Sequence, residues 1–198
     1  MGEIYTGPKF ETVFLSNVAP EHTNIEHLKR WCKKFHEEEL TPSHESGTAG
    51  NLSFRVQYGS NQFIITGAGL QAKCHLTDDD FVYVDSCNIS QKKVFVNGTR
   101  HPSSESMMHY AIYKQLPEIQ AVFHGHHQGL MDYADKLGLA VTETACEYGS
   151  AQLIESIIPF LGKHNVFIIR VHGFLSLGTS MEITGQQVLL LKKSLQNI

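Results

Sequence analysis

No stretch of this chain is apolar for long enough to cross a membrane, and Met1 to Phe14 lacks the apolar run of a secretory leader. Positive charge is scarce. Sixteen Lys and Arg face twenty Asp and Glu, for a net charge of −4 and a pI near 6.3. That balance excludes a broad electrostatic surface for nucleic acid or an anionic membrane, so any anion must be captured by a local group of donors. Cysteine is sparse and wrongly spaced for two familiar uses. Cys32, Cys74, Cys87 and Cys146 form no C-x-x-C pair, which removes a thiolate zinc knuckle and a thioredoxin motif, and they do not read as a secretory disulfide framework. Reduced, buried thiols in a cytoplasmic protein are expected. Internal repeats, low-complexity tracts and linker-like segments are also missing.

What is present fits a single globular domain over residues 1–198. Apolar residues make up 41% and charged residues 18%, which suits a packed core and not a disordered chain. Residues 1–22, with Gly7, Pro8 and Pro20, are expected to be irregular. Ile25, Leu28, Trp31, Cys32 and Phe35 recur at helical spacing within 24–39. Short strands are expected at 52–58, 63–66, 81–85 and 94–96, each closed by turn residues. Ser103 or Ser104 is expected to open a helix carrying Met108, Ile112 and Leu116, stopped by Pro117. Beyond it, 119–126 reads as a strand, 129–137 and 151–161 as helices, 166–171 as a buried strand and 182–196 as a terminal helix. The elements mix without regular βαβ alternation, which points to an α/β or α+β three-layer domain around a mixed or antiparallel sheet.

Twelve histidines are the unusual feature. In Ala121-Val122-Phe123-His124-Gly125-His126 an apolar strand ends in two histidines two residues apart, so both imidazoles project from one face. Catalytic zinc commonly takes three protein ligands and keeps one position open. His172 is the candidate third ligand, at the end of another apolar strand and before Gly173, provided the two strands are neighbours. His127, His109 and His164 compete. His127 is expected to face away, His164 lies in a polar loop, and Glu105 with His109 forms a weaker rival pair one helical turn apart. Ser103 and Ser104 read as helix-capping hydroxyls, and a helix start of that kind also suits an anion. The small-residue turns Gly47-Thr48-Ala49-Gly50-Asn51 and Thr66-Gly67-Ala68-Gly69 can offer backbone N–H groups to a phosphate.

In combination these segments are more specific. Gly47-Thr48-Ala49-Gly50-Asn51-Leu52-Ser53, Thr66-Gly67, Pro102-Ser103-Ser104-Glu105 with Met108-His109 and Tyr113, the His124-Gly125-His126 strand and His172-Gly173 follow in an order that resembles the class II aldolase and adducin family, from about Trp31 onward. The resemblance implies a three-layer α/β/α fold with a mostly antiparallel sheet. It implies a Zn2+ site, or another divalent transition metal, on His124, His126 and His172, and Glu105 as catalytic acid/base. It implies a substrate phosphate held by Asn51, Thr66, Gly67, Ser103 and Ser104. It also implies a small phosphorylated sugar as substrate and a homotetramer with sites at subunit interfaces, while the charge balance already leaves no nucleic-acid or membrane partner expected. Family aldolases and epimerases use tyrosines as well. Tyr148, the last tyrosine of this chain, is the candidate for the family's mid-chain tyrosine, and the tyrosine that members carry near a C-terminal tail has no counterpart in this sequence. The reaction expected first is aldol cleavage of a ketose 1-phosphate to dihydroxyacetone phosphate and an aldehyde. The alternatives are a 4-epimerase, in whose relatives aspartate usually stands at the Glu105 position, a methylthioribulose-phosphate dehydratase using Glu143 or Glu147, and an adducin-like interaction module without catalysis.

Overall fold

A computed structural model describes residues 7–44 and 47–198. Its elements run β1 (Glu11–Ser16), α1 (Ile25–Glu37), β2 (Ser43–His44), β3 (Gly47–Thr48), β4 (Asn51–Arg55), β5 (Phe63–Thr66), β6 (Phe81–Asn88), β7 (Lys93–Asn97), α2 (Ser106–Gln115), β8 (Ala121–Gly125), α3 (Gln128–Asp132), β9 (Ala140–Val141), α4 (Ala151–Ile157), β10 (Val166–Ile169), β11 (Gly173–Gly178) and α5 (Met181–Ser194). Nine strands form one sheet in the order β1-β7-β6-β5-β4-β8-β11-β10-β9, and β2 pairs with β3 apart from it. The sheet is mostly antiparallel, and parallel pairing is confined to its two edges, β1 on β7 and β9 on β10. Among the described residues no helix is long and apolar enough to cross a membrane.

The alternation of side chains along each strand sorts them into two cores. On one face Phe63, Ile65, Val122, Leu175 and Leu177 pack with Met107, Met108 and Ile112 of α2 and with Leu153, Ile154 and Ile157 of α4. On the other, Leu52, Phe54, Phe123 and Phe174 pack with Leu28, Trp31, Cys32 and Phe35 of α1, Leu130 of α3 and Val188 of α5. The result is helices on both faces of a central sheet, as expected. β8 lies mid-sheet, and all five of its residues are buried, which explains its apolar sequence.

Three sequence expectations are corrected. The segment 1–22 is not irregular throughout, because Glu11–Ser16 forms β1 on the edge of the sheet. The helix expected from Ser103 or Ser104 starts at Ser106, while Ser103 and Glu105 lie in the turn before it. The strands carrying His124 and His172 are not neighbours. β11, which went unread, is inserted between β8 and β10, and His172 sits in the β10–β11 turn.

Candidate metal and acid–base site

Antiparallel pairing brings the functional segments to one end of the sheet. The end of β8 lies beside the start of β4, with Asn51 opposite His124, and beside the start of β11, with Gly125 opposite Phe174. The end of β5 lies beside β4 as well, which brings Thr66 to this end. The β10–β11 turn, closed by a bond from the His172 N–H to the Ile169 carbonyl at 3.0 Å, carries His172 over the end of β11. The three histidines therefore meet without adjacent parent strands.

His124 and His172 are stacked, with ring centroids 4.9 Å apart and planes 6° apart, and the ring of His126 lies 4.9 Å from His124 and 5.1 Å from His172. One ring nitrogen from each comes within 4.8 Å of the others. His124 Nε2 and His126 Nε2 are 3.0 Å apart, close to the roughly 3.3 Å edge of a tetrahedron with zinc–nitrogen bonds of about 2.0–2.1 Å. His124 Nδ1 donates to the Phe174 carbonyl at 2.8 Å, which leaves Nε2 as the lone-pair nitrogen facing the cluster. Burial pushes the His124 pKa down to about 4, against the pull of Glu105, and drives that of His126 well below its ordinary value. Neutral imidazoles that cannot easily take a proton are what a divalent metal requires.

The cluster also depends on missing side chains. A Cβ on Gly173 would stand 2.4 Å from the Gly125 carbonyl oxygen, 2.9 Å from His124 Cε1 and 3.0 Å from His126 Cδ2. A Cβ on Gly125 would meet the Leu40 carbonyl oxygen at 2.4 Å and the Phe174 ring at 2.5 Å. The donor set, its lone-pair geometry and this cradle fit a divalent metal.

Glu105 completes the group. Its Oε1 lies 2.7 Å from His172 Nε2 and its Oε2 3.1 Å from His124 Nε2, while Asn51 Nδ2 donates to Oε2 at 2.7 Å. Burial alone would raise its pKa. The neighbouring His124 and His172, with the bonds from His172 and Asn51, overcome that and hold the carboxyl well below the usual carboxylate range.

Glu105 is set in place by a buried polar ladder between β4 and α2. Asn51, Ser53 and Arg55 project from one face of β4. Asn51 bonds Glu105, Ser53 Oγ lies 2.7 Å from His109 Nδ1 and 2.8 Å from the Tyr113 hydroxyl, and Arg55 donates to the Tyr113 and Leu116 carbonyls at 2.8 and 2.7 Å. Two residues of strand advance about 6.6 Å and four residues of helix about 6 Å, so positions 51, 53 and 55 keep step with 105, 109 and 113. The ladder uses His109, which therefore is not the rival ligand; it stacks on Phe63 and lies outside the three-histidine group. His127 caps α3, its Nδ1 accepting from the Leu130 N–H at 3.3 Å, and faces away as expected.

The residues assigned to phosphate gather at the same end but hold one another. The Ser103 N–H donates to the Thr66 carbonyl at 3.2 Å, the Thr66 hydroxyl accepts from the Leu52 N–H at 3.4 Å, and Gly67 bridges to Pro102. The Ser103 hydroxyl accepts from the Glu105 N–H at 3.4 Å, and a Cβ on Gly149 would lie 3.0 Å from the Ser104 carbonyl oxygen. Asn51, expected at the phosphate, spends its amide on Glu105. Tyr148 is buried and donates its hydroxyl to the Gly7 carbonyl at 3.2 Å, with the Lys9 ammonium 4.0 Å from its ring centre. Glu143 and Glu147 are exposed, and Glu147 pairs with Lys9 at 2.5 Å. Sequence reasoning missed the Ser53–His109–Tyr113 ladder and the buried Lys73. Alternating polar residues in β4, in step with the polar positions of α2, were the available signal for the first; a lone lysine in a loop offered none for the second.

A family model described as Class II Aldolase and Adducin N-terminal domain matches residues 26–197. A methylthioribulose-1-phosphate dehydratase from Yersinia enterocolitica is 39% identical over 79 residues, 40% of this chain and 34% of that protein. A 5-methylthioribulose-1-phosphate/5-deoxyribulose-1-phosphate aldolase from Rhodospirillum rubrum is 41% identical over 80 residues, 40% of this chain and 32% of that protein. These alignments span about a third of the length of the curated relatives. Among solved structures, an L-fuculose 1-phosphate aldolase superposes with a TM-score of 0.70 at 23% identity, covering 87% of this chain and 85% of the other, a likeness of fold.

Proposed function

The chain belongs to the class II aldolase and adducin family, and from that premise we propose that it is a metal-dependent lyase that cleaves a ketose 1-phosphate to dihydroxyacetone phosphate and an aldehyde. The observation that carries this reading is the Glu105 carboxylate, bonded to Asn51 and set between His172 and His124 at the edge of the three-histidine cluster. The names of the relatives point to phosphorylated ketoses, methylthioribulose 1-phosphate and 5-deoxyribulose 1-phosphate, as the substrate class.

His124, His126 and His172 would hold the metal, zinc by ligand chemistry, which supplies a Lewis acid to the substrate's oxygens. Glu105 moves the proton. Breaking the carbon–carbon bond turns the hydroxyl on one side into an aldehyde and frees its proton, while the carbon left on the phosphate-bearing fragment needs one. These protons match one for one, so a single carboxylate returns what it takes. The Asn51–Glu105 bond and the ladder behind it fix the carboxylate's height over the triad, and the segment 103–105 with Thr66 and Gly67 anchors the remote phosphate. The assignment of Tyr148 as a second catalytic group, like that of a homotetramer with sites between subunits, rests on the resemblance alone.

The test is release of dihydroxyacetone phosphate from a panel of ketose 1-phosphates by zinc-loaded protein, with a chelated control. Metal-dependent release supports the aldolase. A second reading, dehydration of the same substrate class, is favoured by the relatives that carry the dehydratase name. It predicts loss of water with the carbon chain intact and no triose phosphate. The absence of both products from metal-loaded protein would overturn the lyase reading.

A further inference from the structure

Lys73 is 2% exposed, and among the described residues no carboxylate lies within ion-pair distance of it. Its Nζ donates instead to the Thr48 hydroxyl at 2.6 Å, the Ala49 carbonyl at 2.9 Å and the Thr48 carbonyl at 3.3 Å. Three acceptors match the three N–H groups of an ammonium, and the Thr48 hydroxyl can accept because its own proton goes to the Leu70 carbonyl at 3.0 Å. Burial lowers the lysine's pKa to about 8, so the ammonium persists at neutral pH. A charge buried at this depth is costly unless compensated, and among the described residues only neutral acceptors meet it, so an anion bound nearby would offset that cost.

The bonded carbonyls set the direction of the loop. In a trans peptide the N–H points opposite to the C=O. With the Thr48 carbonyl turned to Lys73, the Ala49 N–H points away and donates to the Pro42 carbonyl at 2.9 Å. With the Ala49 carbonyl also turned to Lys73, the Gly50 N–H points away too, and it meets no acceptor among the described residues. Gly50 has φ +73°, and a Cβ there would lie 2.6 Å from the His124 carbonyl oxygen, so the loop is pinned to the end of β8 with a donor to spare. A backbone N–H left over in this way is a donor that an anion can take.

We propose that Lys73 is a positioning residue of the phosphate pocket, holding the Thr48-Ala49-Gly50 loop with its N–H donor presented to the substrate phosphate and supplying the buried positive charge behind it. This inference rests on the sugar-phosphate reading above. It is tested by titrating inorganic phosphate calorimetrically into zinc-loaded wild type, Lys73→Gln and Lys73→Met at pH 7, with bound zinc measured on the same samples. The expected result is phosphate affinity lower by on the order of ten- to a hundred-fold in both variants, the range for a charge-assisted bond, with zinc content unchanged. Undiminished phosphate affinity in the variants overturns the role of Lys73 and leaves the sugar-phosphate reading intact. Parallel loss of phosphate and zinc also overturns it, because a purely structural collapse of the loop would reach His124 through Gly50. If zinc-loaded wild type binds neither phosphate nor any ketose 1-phosphate, the sugar-phosphate reading falls and the role of Lys73 with it. Should both lysine variants fail to fold, Thr48→Val at a half-buried position removes the shortest of the three bonds and carries the same expectations.

Discussion

The two walls of the candidate metal site are built on different principles. On the β4–α2 side, Glu105 is located by side chains bonded in series: Asn51 to the carboxylate, Ser53 to His109 and Tyr113, Arg55 to the last carbonyls of α2. On the β10–β11 side, His172 is located by backbone shape, through a turn with Val171 at φ +61° and a glycine that leaves no room for a Cβ. The first wall is redundant, since several buried bonds fix one helix height. The second is a steric fit with little slack. A redundant wall suits a group that must keep its position while its charge changes. A steric wall suits a ligand that needs only to stay put.

The largest expected effect separates chemistry from architecture on the redundant wall. Glu105→Gln keeps the shape and can keep a bond from Asn51, so zinc content should stay at wild-type level while turnover falls by about 10²–10⁴-fold, the usual contribution of a positioned acid/base. Product release and metal analysis on the same sample decide it, and full turnover would remove Glu105 from the proton transfer. On the steric wall the next effect is aimed at metal. Gly173→Ala places a methyl 2.4 Å from the Gly125 carbonyl oxygen, a backbone atom that cannot swing aside. Zinc affinity should fall by roughly 10–100-fold, comparable to losing a group that orients a ligand. Wild-type affinity in a competition titration would show that the triad tolerates a shifted turn and that the wall is looser than its packing implies.

The same contrast explains what could be read from the sequence. His124 and His126 were legible because strand periodicity alone puts them side by side, and an apolar run identified the strand. The expectation for His172 was conditional on neighbouring strands, and it is the β10–β11 turn that brings His172 to the cluster instead. β11, Gly-Phe-Leu-Ser-Leu-Gly, is buried on both faces and shows no alternation, so it reads as a continuation past a glycine turn. Ser103 and Ser104 carry capping chemistry, yet the helix waits until Ser106 because Ser103 gives its hydroxyl and carbonyl to the turn that aims Glu105. Lys73 could not be found, because a buried lysine with backbone partners has no sequence periodicity.

A smaller effect probes the ladder through pH. Burial pushes the His109 pKa down to about 3, from an ordinary value of 6.5. Between those values the unfolded chain binds a proton that the folded ladder refuses. Stability therefore falls as pH drops below 6.5, by up to about 1.4 kcal/mol per pH unit for one such histidine. Urea unfolding of metal-free wild type and His109→Phe between pH 6.5 and 4 should show a shallower loss in the variant by about that slope. His124, pushed to about 4, contributes to both proteins and cancels in the comparison. Equal slopes would mean that His109 takes its proton in the folded state and that the ladder is less sealed than its burial indicates.

The smallest effect falls on the turn. Val171 is 81% exposed, so its side chain gains little from packing. Its φ of +61° lies in the left-handed region, which costs a β-branched residue about 1–2 kcal/mol. Glycine occupies that region without steric cost but gives up conformational freedom on folding. Val171→Gly should therefore stabilise the chain by a net amount of about 1 kcal/mol at most, read as a shift in urea midpoint. If the strain only relaxes, zinc affinity will not change, and the steric wall owes its fit to Gly173. If zinc binding weakens while stability rises, the stiffness of valine in the turn holds His172 against the triad, and the strain belongs to the site.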